Sequence, residues 1–468
     1  MQRVNQYSLF EPIPAKDDDW TFNGASTREL THCYHDYPAR MIPQIASKLI
    51  DIYGASSQLL FDPYCGSGTS LVEALLHGIN AIGTDLNPLA RMIAEAKISI
   101  PELSKLDNAI SRYNDFMNRS KVINLEKSPT IKGITNIDFW FKPQVIEKLL
   151  RIKIFIDTIE DQTVRLFFKV AFSETIRESS NTRNEEFKLY RYDEKKLKFF
   201  NPEVFSIMSV KLRRNKLGLE RYIDKICKFK NLPTANVYSF NTVNEIPTDI
   251  FDDFPIDIVV TSPPYGDSHT TVAYGQYSRL SAAWLDLEEP DRIDQSLMGG
   301  KTLKRMPQIE SEKILQSIHL IRQKNEKRAL EVAAFYSDLY QSIKNVAKII
   351  KHGGHACYVV GNRKVNGLVL PTDKAIIDFF SSEGYEHITT HERLIPNKRM
   401  PLRNSPTNET GKLDDTMTQE YIVVMRKKSL SMVAERHSNY RVSSLKKKLK
   451  RPIKKTEKTN KSISKNKK

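Results

Sequence analysis

Cysteine is scarce in this 468-residue chain, and its four cysteines, Cys33, Cys65, Cys227 and Cys357, stand far apart. No CxxC pair and no neighbouring group of histidines accompanies them. A zinc ribbon, another metal site or a disulfide framework is therefore not expected. Isolated cysteines are typical of reduced thiols, and they predict an intracellular, cytoplasmic protein.

Long apolar runs are also missing. No stretch approaches the roughly 18 consecutive apolar residues of a membrane span, and residues 1–19 contain no apolar core of a secretory signal. In contrast, 40% of all residues are hydrophobic and 27% are charged. This composition predicts a globular protein with a large core, and the chain is longer than one small module.

Positive charge is plentiful but unevenly spread. The chain carries a net charge of +16, and residues 427–468 hold 16 Lys and Arg against 2 Asp and Glu. The rest of the chain is therefore close to neutral. A tail this polar predicts disorder, and we expect it either to be merely solvated or to attract phosphate groups without reading sequence.

Short apolar runs alternate with helical patterns through most of the chain, which predicts an α/β fold with parallel strands. One predicted strand ends at Asp62 and is followed by a glycine-containing turn and a helix. The next strand ends at Asp85. A near-continuous apolar run at 255–262 is typical of a strand that is buried on both faces.

Further strands are predicted near the end of the apolar pattern. A long helix is predicted to end at Gly353 and Gly354, because glycine commonly ends helices, and a strand follows at 355–362. Two last runs, at 387–395 and 420–427, predict a hairpin that closes the sheet.

The turn after Asp62 is the first candidate binding feature. Gly66 and Gly68 allow the backbone to take left-handed torsions and to approach a ligand closely, and amides at a helix start face such a ligand. The third glycine of the dinucleotide fingerprint is missing, because Leu71 occupies its position. Asp85 can accept both hydroxyls of a ribose, and Asp62 can face an amino or amide donor. A nucleoside-type cofactor is predicted, and an ordinary strand-to-helix turn is the alternative.

The second candidate feature directly follows the buried strand. Pro263 and Pro264 remove two backbone donors and stiffen the chain, which leaves the Ser262 hydroxyl and the intervening carbonyls as acceptors. Tyr265 adds a flat face for stacking. Such a rigid group of acceptors suits the exocyclic amino group of a nucleobase, and a proline-rich strand exit without function is the alternative.

These motifs together resemble a known enzyme family. The string DPYCGSGT at 62–69 resembles the cofactor loop of S-adenosylmethionine-dependent amino-group DNA methyltransferases, and TSPPY at 261–265 resembles their catalytic motif. The segment 35–40 resembles the one that completes their cofactor pocket. Longer strings at 179–191 and 261–281 resemble those of methylases from bacterial restriction-modification systems.

The resemblance implies a fold and a set of site residues. The fold is a Rossmann-like methyltransferase fold with a mainly parallel seven-stranded sheet that ends in an antiparallel hairpin, plus an inserted helical lobe and a disordered basic tail. The residues implied to bind S-adenosylmethionine are Tyr37, Pro38, Asp62, Pro63, Tyr64, Cys65, Gly66, Ser67, Gly68, Thr69 and Asp85. Those implied to present the target amino group are Ser262, Pro263, Pro264 and Tyr265.

The resemblance also implies a substrate. Serine in the first motif position, Ser262, is associated with N4 methylation of a flipped cytosine in double-stranded DNA, with a cognate restriction endonuclease as a possible partner. N6-adenine methylation, methylation of an RNA amino group, a non-catalytic DNA-binding component and a dinucleotide-dependent oxidoreductase are the alternatives. Methylation of carbon 5 of cytosine is a poorer match, because no cysteine follows a proline.

The predicted domain organisation follows the motifs. The divisions are 1–100 with the cofactor loop, 101–235 as a helical insertion, 236–426 with the catalytic motif, and 427–468 as the tail. Two regions are candidates for reading the DNA target. The insertion contains the basic cluster 211–216 and is slightly favoured by motif order, and the stretch 266–330 contains Tyr274, Lys301, Lys304 and Arg305.

Overall fold

The structure, a computed structural model, describes residues 19–119, 122–123, 127–184, 187–251, 255–267, 272–288, 292–395, 403–404, 414–415 and 418–429. The predicted tail beyond position 429 and most of the predicted loop 396–419 lie outside these residues. The described residues up to Lys427 form one compact unit. Within these ranges no helix is both long and apolar enough to cross a membrane.

The described part of the chain forms a sheet surrounded by helices. The strands of the main sheet are β1 Leu59–Asp62, β2 Asn80–Thr84, β3 Ala235–Tyr238, β4 Ile256–Thr261, β5 Ile350–Val360, β6 Tyr385–Leu394 and β7 Gln419–Lys427. The α-helices are α1 Pro43–Tyr53, α2 Thr69–Leu76, α3 Pro88–Ile98, α4 Leu103–Arg119, α5 Ile137–Trp140, α6 Pro143–Asp157, α7 Gln162–Ser179, α8 Glu194–Phe199, α9 Val204–Ile226, α10 Tyr274–Trp284, α11 Ile293–Ser296, α12 Glu312–Lys324, α13 Glu326–Ile349 and α14 Thr372–Ser382. Short 3-10 helices cover Leu30–Tyr34 and Asp249–Phe251, and two-residue strands pair 364–365 with 368–369 and 403–404 with 414–415.

The order of the strands confirms the predicted fold. The sheet has the order β3-β2-β1-β4-β5-β7-β6. Strands β1 to β5 are parallel to one another, and β7 is antiparallel to both β5 and β6. The last two strands therefore form the predicted antiparallel hairpin, with β7 inserted between β5 and β6.

The end of the long helix differs from the prediction. Helix α13 ends at Ile349, and Gly353 and Gly354 lie inside β5 instead of ending the helix. The pairing of β5 with β4 shifts register in this region, and Gly353 has a φ of +80°. Glycine adopts this torsion easily, so it permits an irregular step within a strand. The glycine pair that predicts a helix end from the sequence therefore allows a β-bulge in the structure.

Side chains of the central strands alternate between two hydrophobic layers. Ile258 and Val260 of β4 pack into a cluster with residues of α1 and α2, whereas Val259 packs into a cluster with residues of α13 and α14. This period of two is the geometry of a strand. All six residues of β4 are buried, as the apolar pattern predicts for a strand that is covered on both faces.

The insertion between β2 and β3 is helical, as predicted. Phe168 of α7 and Leu219 of α9 belong to the same hydrophobic cluster as Ile93 of α3 and Trp284 of α10. The inserted helices therefore share a core with α3, which follows β2, and with α10, which follows the catalytic motif. The boundaries at 100 and 235 as domain limits stay a prediction.

Candidate active site

The two predicted motifs lie at the same edge of the sheet. The cofactor loop follows β1 and the catalytic motif follows β4, and these strands are parallel neighbours in which Phe61 pairs with Val259. Strand order reverses between them, and ligands of open α/β sheets bind in the crevice at such a point. A cavity of about 650 Å³, including its open mouth, lies there.

Most of the predicted site residues line this one cavity. They are Tyr37, Pro38, Asp62, Tyr64, Cys65, Gly66, Ser67, Thr69, Asp85, Ser262 and Pro264. The buried Pro63, Gly68 and Pro263 and the half-buried Tyr265 are not among the lining residues. Ala39 and Arg40 of the segment 35–40 and Tyr274 of the string 261–281 also line it, and the lining residues outside the predicted motifs are Met41, Ser70, Asn87 and Leu297.

The shape of the cofactor loop depends on two glycines. Gly66 and Gly68 have φ angles of +50° and +77°. A methyl group on Gly68 would lie 2.9 Å from Cβ of Ala94 in α3, whereas one on Gly66 would meet only the Tyr37 ring, at 4.0 Å. Gly68 therefore permits close packing of the loop on α3, and Gly66 leaves space at the cavity wall.

Asp85 ties the loop to the start of α3. Its Oδ2 accepts a hydrogen bond from the Gly66 amide at 3.0 Å, and its Oδ1 accepts one from the Asn87 amide at 2.7 Å. Burial raises the pKa of the Asp85 carboxyl above its ordinary value. Each carboxylate oxygen has a further acceptor position, so Asp85 can still receive hydroxyl donors from a ligand.

Asp62 connects the cofactor loop to the catalytic motif. Its Oδ1 accepts from the Thr261 hydroxyl at 2.5 Å and from the Tyr64 amide at 3.0 Å, and its Oδ2 accepts from the Ser70 hydroxyl. Only 3% of Asp62 is exposed. Burial raises the pKa of this carboxyl to about 6, although the hydroxyl donors lower it. Most acceptor positions of Asp62 are therefore used within the protein, so few remain for the predicted hydrogen bond from a ligand amine.

The catalytic motif is held by hydrogen bonds on β5 and β7. The Ser262 hydroxyl donates to the Val359 carbonyl at 3.0 Å, and its oxygen is 3.4 Å from the Tyr265 hydroxyl. The Tyr265 hydroxyl donates to Oε1 of Glu420 at 2.9 Å. A hydroxyl has one proton and two lone pairs. Because the proton of Ser262 is directed at Val359, its lone pairs remain available to accept from an amino group.

Comparison with known proteins identifies the family. The profile described as RMKL-like, methyltransferase domain, matches residues 29–119. The type II methyltransferase M.MvaI of Kocuria varians is 42% identical over 422 residues, which cover 86% of this chain and 93% of that protein. This chain belongs to the type II methyltransferases. The prediction of a methyltransferase of the restriction-modification type is thereby confirmed.

Shorter matches involve two proteins of Methanocaldococcus jannaschii. The type II methyltransferase M.MjaII is 33% identical over 108 residues, which are 22% of this chain and 20% of that protein. A tRNA (guanine(10)-N2)-dimethyltransferase is 30% identical over 103 residues, which are 20% of this chain and 28% of that protein. Each match covers a minor part of both chains, so neither decides which base this type II methyltransferase modifies.

An aromatic pair forms one wall of the methyltransferase cavity. The rings of Tyr37 and Tyr274 stack with centroids 6.0 Å apart and an angle of 23° between their planes. Asn87 Nδ2 donates to the Tyr37 hydroxyl at 2.9 Å and to Oγ of Ser278 at 2.7 Å, while its Oδ1 caps α3 at the Leu89 amide. Asn87 therefore both caps α3 and holds this wall, and no local sequence signal indicates the second role.

Helices of the insertion support the segment that carries Tyr37. The Asp36 amide donates to Oε1 of Glu174 in α7 at 2.9 Å. Arg214 in α9 donates to Oε2 of Glu174 at 2.6 Å and to the Tyr34 carbonyl at 2.8 Å. Glu174 is 4% exposed. The insertion of this methyltransferase therefore helps to position one wall of the candidate cofactor site.

The basic cluster 211–216 is largely neutralised in the fold. Lys211 pairs with Glu178, and Arg214 pairs with Glu174. Lys216 pairs with Asp107 at 2.5 Å. Three of the cations that made this cluster a candidate for DNA contact are thus part of ion pairs within the protein.

The buried cysteines of the methyltransferase carry poorly ionisable thiols. Cys33, Cys65 and Cys357 are buried and Cys227 is exposed, and none of the four forms a disulfide. Burial raises the pKa of the thiols of Cys33, Cys65 and Cys357 above the ordinary value. Because the thiolate is the nucleophilic form of cysteine, Cys65 is poorly suited to attack a base from the cavity wall.

Proposed function

We propose that this type II methyltransferase transfers the methyl group of S-adenosylmethionine to the exocyclic N4 of a cytosine flipped out of duplex DNA, and so protects DNA from a cognate restriction endonuclease. The observation that carries the proposal is the shared cavity. Gly66, Asp85 and Ser262 all line it, and the hydrogen bond between Asp62 and Thr261 joins the two motifs.

The cavity fits the proposed cofactor. Bound S-adenosylmethionine supplies an electrophilic methyl group on a positively charged sulfonium. Asp62 and Asp85 are buried carboxyls whose pKa values are raised by burial, so a cationic ligand would favour their ionised forms. Asp85 retains acceptor positions for ribose hydroxyls, and Gly66 leaves the loop open to the cavity.

The catalytic motif fits an amino group. The lone pairs of Ser262 can accept a hydrogen bond from an exocyclic NH2, which orients the nitrogen for direct attack without a covalent enzyme intermediate. Burial and the neighbouring Glu420 raise the pKa of Tyr265 well above its ordinary value, so the phenol stays protonated and remains anchored to Glu420. Its ring is then held in place to stack on a base that has left the helix.

Mass spectrometry of nucleosides tests the proposal. Unmodified duplex DNA and total RNA are incubated separately with the protein and isotopically labelled S-adenosylmethionine, then digested. We expect labelled N4-methylcytosine from the DNA. Labelled N6-methyladenine would contradict the choice of base, and label in RNA alone would contradict the choice of nucleic acid. A protein that binds no S-adenosylmethionine would support the non-catalytic alternative instead.

A further inference from the structure

We propose that residues 301–305, the basic segment, contact the phosphate backbone of DNA beside the target base. This inference rests on the proposed function and deepens it, because it assigns the DNA contact to one part of the chain. The segment contains Lys301, Lys304 and Arg305, and residues 301–308 include no acidic residue.

The charges of the basic segment are available to a partner. Lys301, Lys304 and Arg305 are exposed, and no ion pair joins them to a carboxylate among the described residues. The cluster 211–216 differs in this respect, because three of its four cations, Lys211, Arg214 and Lys216, are paired within the fold. Phosphate contacts by unpaired lysine and arginine supply most of the affinity of proteins for DNA irrespective of sequence.

Buried anchors on both sides fix the basic segment near the cavity. Leu297 lines the cavity, and the Gly299 amide donates to Oδ2 of Asp338 at 2.9 Å. A methyl group on Gly299 would lie 3.3 Å from Cβ of Asp267, which follows Tyr265 by two positions. Ile309 is buried on the other side of the segment. The exposed cations therefore belong to a short stretch that starts at the wall of the cavity and is held at both ends.

A DNA duplex whose base enters this cavity brings its phosphates to the surrounding rim. Phosphate contacts fix the register and orientation of a protein on DNA, whereas base contacts read the sequence. We therefore assign a positioning role to the basic segment. The rival surface is the short helix α8 of the insertion, in which Lys195, Lys196 and Lys198 are also exposed.

Three matched variants of the full-length protein separate these possibilities. The first changes Lys301, Lys304 and Arg305 to Gln. The second changes Lys195, Lys196 and Lys198 to Gln. The third changes Lys225, Lys228 and Lys230 to Gln. These exposed residues lie just before the amino end of β3, at the edge of the sheet opposite the cavity. Their neighbour Phe229 contacts Gly78, which lies just before the amino end of β2. Every variant loses three positive charges, and all keep the same tail.

The measured quantity is kcat/KM for methylation of unmodified plasmid DNA as a function of NaCl concentration. For the first variant we expect a reduced slope of log kcat/KM against log salt, by about 0.9 for each DNA phosphate that the protein no longer neutralises. Its dissociation constant for S-adenosylmethionine should stay at the wild-type value, which also shows that the cavity is intact. The third variant should keep the wild-type slope.

The outcomes are distinct. Equal slopes for the first and third variants would overturn the assignment, and a reduced slope in the second variant alone would place the contact on α8. A wild-type protein that methylates no DNA would refute the proposed function itself rather than this assignment.

Discussion

The affinity of the methyltransferase for S-adenosylmethionine should depend on pH through Asp62. Burial raises the pKa of this carboxyl to about 6, against the opposing effect of the Ser70 and Thr261 hydroxyls. The carboxyl is therefore mostly protonated at pH 5 and mostly ionised at pH 7. An ionised carboxylate at the cavity wall attracts a cationic cofactor and a protonated one does not, so binding should strengthen as pH rises through 6.

The magnitude follows from the titration of one group. With a pKa of about 6, about one carboxyl in ten is ionised at pH 5 and about nine in ten at pH 7. If the cofactor binds only the ionised form, its dissociation constant falls about tenfold over this range, and binding near pH 6 releases about half a proton. The α-amino group of the cofactor titrates above this range and its α-carboxyl group below it. Burial also raises the pKa of Asp85, so its ionisation with rising pH should likewise strengthen cofactor binding.

Isothermal titration calorimetry at pH 5, 6 and 7, in two buffers of different ionisation enthalpy, measures both the affinity and the released proton. Asp62→Asn should bind the cofactor weakly at all three pH values and lose most of the dependence. Asp224→Asn, at an exposed position of α9, should keep the wild-type profile. An affinity that is flat from pH 5 to pH 7, or a step that persists in Asp62→Asn, would refute the reasoning.

Four further predictions each concern one position. Tyr265→Ala should raise KM for DNA while leaving the cofactor dissociation constant largely unchanged. Asp85→Ala should raise the cofactor dissociation constant while leaving KM for DNA largely unchanged. An equal rise of both constants in either variant contradicts the assigned roles. Glu174→Gln removes a charged hydrogen-bond partner, so it should lower the unfolding free energy by about 1.5–3 kcal/mol. It should also weaken cofactor binding, while kcat at saturating cofactor stays near the wild-type value. Unchanged cofactor affinity would show that the insertion does not support the site. Gly68→Ala combines a left-handed torsion with a methyl group 2.9 Å from Ala94, whereas Gly24→Ala has the same torsion and open space. Denaturant unfolding should show an extra loss of about 1–3 kcal/mol for Gly68→Ala from overpacking, and equal losses would contradict the close packing.

The sheet and its two motifs could be predicted because their signals are local. Asp62, Asp85 and Ser262 each lie at the end of an apolar run or directly after it, and parallel strands bring their carboxyl ends to one edge. This is why Asp62, Asp85 and Ser262 could be expected in one place before their geometry was known.

The supports of the site could not be predicted in the same way. Asp36 and Glu174 are 138 positions apart, and Tyr265 and Glu420 are 155 apart. Such pairs depend on how helices and strands pack, and no local period records them. The cluster 211–216 shows the same limit, because its basic residues indicate a nucleic-acid surface until Glu174 and Glu178 of α7 are placed beside them.

One cavity is proposed to bring the methyl donor and the base together, and a crystal structure of the protein with a non-reactive analogue of S-adenosylmethionine and duplex DNA would show both ligands in place. We expect the analogue against Gly66 and Asp85, an everted cytosine with its N4 hydrogen-bonded to Ser262, and about 3–3.5 Å between that nitrogen and the position of the transferable methyl carbon. An analogue bound away from the cofactor loop, or a base that remains stacked while the analogue fills the cavity, would contradict a shared site for the two ligands.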